Sequence, residues 1–72
     1  MKKFEIVIAS LPNRERVVAE IYYENKCWVE ISQEKEEELM IQFYSYPDQK
    51  YWEFTYNEAV KVLEEAKNKL LS

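Results

Sequence analysis

Seventy-two residues with a formal net charge of −4, one cysteine, no histidine and no glycine describe a single small acidic domain with little material for catalysis. The charge argues against nucleic acid as a ligand, because phosphate binding relies on Lys and Arg displacing counterions, and it steers the chain toward a basic partner. Without histidine the usual acid–base group at neutral pH is missing, and without glycine there is no phosphate-cradling loop.

In chain order, two lysines precede a short apolar stretch, but Glu5 interrupts it, so the N-terminus does not read as a leader. No apolar run approaches the roughly 20 residues that cross a bilayer, and no membrane association is expected. Residues 3–9 alternate, with Phe4, Ile6 and Ile8 on one face of a first strand. A second strand is predicted over 16–23 on Val17, Ala19 and Ile21, and a third over 27–33 on Cys27, Val29 and Ile31. A fourth follows over 38–46 on Leu39, Ile41 and Phe43, and a short fifth over 51–54 on Trp52 and Phe54. The connectors "SLPNRE", "ENK", the acidic run Glu34–Glu38 and "PDQK" are of hairpin length, which favours antiparallel pairing. Pro47 presets the first corner of the last turn and Asp48 the second. Left-handed turn positions, usually taken by glycine, fall to Asn13, Asn25 or Asp48. "TYNE" at 55–58 reads as a capping box opening a helix over 56–70, with an apolar stripe of Ala59, Val60, Leu63, Ala66 and Leu70. The expected fold is α+β: an antiparallel meander of four to five strands with one C-terminal helix packed on one face. That helix should cover Phe4, Ile6, Val29, Ile31, Ile41 and Phe43.

Matching apolar faces sets the neighbours on the other side. Ile21 opposite Val29 puts Tyr22 opposite Trp28 and Glu20 opposite Glu30. Ile6 opposite Ala19 puts Glu5 opposite Glu20, and Phe43 opposite Phe54 puts Tyr44 opposite Glu53 and Tyr46 opposite Tyr51. The helix-free face then shows a row of Glu5, Glu20 and Glu30 beside Tyr22, Trp28, Gln42, Tyr44, Tyr46, Tyr51 and Glu53. A water-facing sheet side with tyrosines on it explains any one of these residues. It explains the group less well, since glutamates directly opposite one another repel and clustered exposed aromatics mark contact surfaces. Carboxylates beside aromatic rings suit Lys and Arg, by charge-assisted hydrogen bonds and cation–π contact. The expected binding residues for a basic protein partner are therefore Glu5, Glu20, Tyr22, Trp28, Glu30, Tyr44, Tyr46, Tyr51 and Glu53.

No catalytic residue, cofactor or metal is expected. Cys27 has no imidazole to activate it and reads as a small buried hydrophobe that suits a reducing cytosol. A flat row of glutamates rarely supplies the converging oxygens that a hard cation needs.

The combination "EIVIASLPNRE…VAEIYYENKCWVEIS…LMIQFYS…YWEFTYNEAVKVLEEAKNKLL" resembles the small acidic immunity proteins of bacterial toxin–immunity systems in size, acidity, strand pattern and C-terminal helix. The resemblance implies a stoichiometric inhibitor in the bacterial cytoplasm that blocks the basic substrate-binding region of a nuclease-like toxin. It carries no binding residues over, so the site rests on the strand pairing alone. The alternative is a small housekeeping or scaffold domain that homodimerises through the same face, against which the glutamate row stands as a repulsive element.

Overall fold

The computed structural model describes residues 3–34 and 38–72, so part of the acidic run Glu34–Glu38 lies outside the described residues. Four strands, β1 (Phe4–Ala9), β2 (Val18–Tyr23), β3 (Lys26–Ser32) and β4 (Met40–Phe43), precede one helix, α1 (Tyr56–Leu71). The strands form an antiparallel meander in the order β1-β2-β3-β4. This is the α+β architecture that the periodicities predict.

Local chemistry accounts for the turns. The β2–β3 hairpin closes on Glu24 (φ 50) and Asn25 (φ 72), the paired left-handed geometry whose twist matches the flanking strands. Asn13 and Asp48, the other candidates for that conformation, keep negative φ. Gln49 N donates to Tyr46 O at 3.1 Å across Pro47 and Asp48, closing the expected turn. Thr55 caps α1, its hydroxyl accepting from Glu58 N at 3.1 Å, with Lys69 in the last turn against the helix dipole.

Ala19, Ile21, Val29 and Ile31 from the two central strands bury against Val62 and Ala66 of α1, with Phe4, Ile6, Ala59, Leu63 and Leu70 around them. Three expectations need correction. Residues 51–54 form no strand; Trp52 and Phe54 instead pack on the core as an extended lead into α1, and Trp52 Nε1 donates to Tyr44 O at 3.2 Å. Ile6 pairs with Ile21 rather than Ala19, which sets Glu5 opposite Tyr22 and Glu20 opposite Val7. Finally, α1 packs mainly on β2, reaches β1 and β3, and stops short of β4. A helix about 10 Å across covers little more than two strand spacings of about 4.8 Å. Ile41 and Phe43 therefore remain 45% and 65% exposed instead of covered.

Candidate functional site

One irregularity decides the composition of the face opposite α1. Ile21 pairs with Val29 and Glu20 with Glu30 as expected, but Tyr22 pairs with Cys27, so β3 carries one extra residue, Trp28. Such a bulge turns consecutive side chains toward the same side. Trp28 thus joins Val29 on the helix side, where its ring lies 4.8 Å from Phe54, 6.0 Å from Phe4 and 6.3 Å from Phe43. Only 7% of it is exposed. Trp28, expected on the helix-free face, is a core residue. Cys27 moves the other way: it is buried, but opposite Tyr22 on the helix-free side and not on the helix side.

That side is also less open than the alternation suggests. Residues 10–17, the β1–β2 connector, fold across one end of it. Arg14 N donates to Leu11 O at 3.1 Å, and the amides of Glu15 and Arg16 donate to the Glu34 carboxylate at 3.1 and 3.3 Å. Arg16 Nη1 reaches Gln33 O at 3.1 Å. Val18, Glu30 and Ser32, all on the helix-free side, are buried. Arg14 Nη2 makes a 2.7 Å ion pair with Glu30 Oε2 and a longer 3.4 Å bond to Gln42 Oε1. Tyr44 donates its hydroxyl to Glu30 Oε1, also at 2.7 Å. Glu30, expected as an open carboxylate, is 2% exposed with both oxygens occupied. A carboxylate this deep is tolerable only when paired and hydrogen-bonded.

Glu20 is placed differently. It is half-buried beside Glu30, and the hydroxyl of Tyr22 donates to its Oε1 at 3.2 Å. Glu5 is exposed next to them, opposite Tyr22. The structure therefore brings together Glu5, Glu20, Tyr22, Glu30 and Tyr44. Tyr46 lies at the hairpin end, its hydroxyl donating to Cys27 O at 3.0 Å and its ring beneath Lys26 Nζ at 5.4 Å. Lys26 also pairs with Asp48 at 3.0 Å, and this exposed contact lowers the Asp48 pKa through its hydrogen bond and charge. Tyr51 and Glu53 are exposed on the segment that leads into α1 and form no ladder opposite Tyr46 and Tyr44. Arg14 is the residue that sequence reasoning missed. The available signal was that both arginines of the chain, Arg14 and Arg16, sit in the one connector between the first two strands.

Protons are held tightly here. The Tyr44 hydroxyl is pushed up, first by its hydrogen bond to Glu30 and then by burial; burial and Glu20 push up Tyr22. The Cys27 thiol rises to about 11 through burial and the nearby Glu20 and Glu30. All three stay protonated at neutral pH, and the thiol is no activated nucleophile. Each group has a folded pKa above its unfolded value, so the folded chain holds more protons. The resulting stabilisation is fully present below about pH 9 and is lost as pH rises through the folded values. The urea midpoint should therefore fall between about pH 9 and 11, in step with Cys27 becoming reactive toward a thiol reagent. A midpoint flat across that interval would show that these groups titrate as they do in the unfolded chain.

Among the described residues, no group of three or more Cys, Asp or Glu side chains converges to hold a metal ion, and no helix is long and apolar enough to cross a membrane. The chain matches no protein family, and neither a curated protein nor a solved structure shows significant similarity to it.

Proposed function

We propose that the protein is a non-catalytic binding module that captures a basic protein partner through Glu5, Glu20, Tyr22 and the rim of Tyr44. In this reading it is an immunity- or antitoxin-type inhibitor of a nuclease-like toxin in the bacterial cytoplasm. The observation that carries the reading is the hydrogen-bond direction on this face. The hydroxyl protons of Tyr22 and Tyr44 are both spent on carboxylates, so Glu5, Glu20, Tyr22 and Tyr44 together offer acceptor oxygens outward. Arg14 serves Glu30, and neither Glu20 nor Glu5 forms an ion pair among the described residues. Such a group of acceptors favours donor-only partners, and guanidinium and ammonium are the side chains that carry donors and no acceptor. Trp28 contributes nothing to such a contact.

The test is capture from the native host with wild type and with Glu20→Lys, followed by kinetics on the purified partner. A basic protein should be retained by wild type and lost with Glu20→Lys. Glu20→Gln should slow association severalfold and flatten its salt dependence, since such charges act on the encounter. Added at equal moles, the wild type should silence the partner's nuclease activity. Equal retention by Glu20→Lys, or an acidic partner, would rule out this face; a basic partner whose activity is unaffected would rule out the inhibitor role.

A further inference from the structure

β4 closes one side of the sheet, and its outer edge is the least defended surface of the fold. Tyr44 N donates to Trp28 O at 3.0 Å, which sets the alternation along the strand. Even-numbered residues direct their amides and carbonyls to β3, so those of Ile41 and Phe43 point outward. The side chains of Ile41 and Phe43 lie on the helix side, beyond the reach of α1, and both are exposed, as is Leu39 just before the strand. On α1, Tyr56 and Val60 are exposed as well.

Natural sheets protect such edges with lysine, proline or a bulge. Residues 39–46 carry no charge and no proline, and β4 pairs with β3 without a register shift. The opposite edge, β1, is guarded: Lys3, Glu5, Lys61, Glu65 and Lys69 line the groove between it and α1. A basic partner finds no anion on β4 itself, whereas two acidic copies of this chain repel least where both strands are neutral.

We infer that β4 pairs antiparallel with β4 of a second copy about a two-fold axis at Ile41, joining two four-stranded sheets into one. Apolar faces match only if odd-numbered residues oppose odd-numbered ones. With the axis at Ile41, Ile41 meets its own copy and Leu39 meets Phe43. A two-residue shift sets Leu39 against Ser45. The odd-numbered backbone groups then bond across the seam, and the apolar flanks left bare by α1 cover each other. This surface is separate from the Glu5–Glu20 face, so either proposal stands if the other fails.

Sedimentation of the full chain from micromolar to millimolar concentration should show a reversible monomer–dimer equilibrium. Ile41→Lys should weaken it at least tenfold, with circular dichroism and the thermal midpoint of dilute protein close to wild type. Register is tested by cross-linking under a mild oxidant. Hydrogen-bonded antiparallel partners have Cα atoms about 5.5 Å apart, within disulfide range. Ile41→Cys should therefore yield a covalent dimer, whereas Phe43→Cys, which faces Leu39 of the copy, should not. A wild type that stays monomeric throughout overturns the inference, as does a dimer indifferent to Ile41→Lys or a cross-link at Phe43→Cys alone.

Discussion

Trp28→Ala is expected to leave much of the chain unfolded. Truncating a buried tryptophan or phenylalanine typically costs about 3–5 kcal/mol, through lost transfer energy and the cavity left behind. A chain of this size has about 4–11 kcal/mol of total stability, so the change removes a large share of it. The site has little means of collapsing around the loss, because Trp28 is the ring that Phe4, Phe43 and Phe54 all meet. Trp28→Phe should cost less, since a ring remains to fill part of the volume. Urea unfolding followed by far-ultraviolet circular dichroism measures both, and Trp52 serves as the remaining fluorescence reporter. An unchanged midpoint in Trp28→Ala would return the side chain to the surface and remove the bulge that turns it inward.

Arg14→Ala should be the most damaging change outside the core, at about 3 kcal/mol. Removing one partner of a buried ion pair strands the other charge, which typically costs about 3–5 kcal/mol. Here the lower end applies, because Tyr44 still donates to Glu30 and Arg14 itself is 22% exposed, so water reaches the pair. The geometry is also imperfect: Arg14 Nη2 makes both of the guanidinium contacts, while its buried Nε has no acceptor among the described residues. Replacing both partners, as in Arg14→Met with Glu30→Met, should recover most of the loss, since an apolar pair carries no desolvation penalty. A double-mutant cycle in urea measures the coupling. Equal and additive losses would mean that Arg14 acts by packing alone and that Glu30 is not held by its charge.

The two expectations share a cause. Strand alternation places Trp28 on the water side and Glu30 on a bare face. One inserted residue and one folded connector reverse both assignments. Glu20, Tyr22 and Tyr44 stay where alternation puts them because the extra residue lies in β3, while Ile21 of β2 and Phe43 of β4 both keep their expected positions against the sheet, opposite Val29. Glu53 and Tyr51 depart because a fifth strand requires a ladder, and the rings of Trp52 and Phe54 gain more by packing on the core than their backbone gains from pairing.

Local information is sufficient for the elements themselves. Period-2 alternation, the Glu24–Asn25 turn and the Thr55 cap each involve residues within a few positions, and their energetics are decided there. From the sequence alone follow four to five strands, of which the structure keeps four, with one C-terminal helix, an antiparallel meander and an acidic composition. Tertiary structure decided which side chains the sheet face offers. The Arg14–Glu30 pair spans 16 residues, and the Tyr44–Glu30 bond spans 14. A bulge changes the face of a residue without changing the hydrophobic pattern around it. How far a single helix extends over four strands depends on its width against their spacing, and no periodicity encodes that. The uncovered edge at Ile41 and Phe43 is a consequence of that geometry.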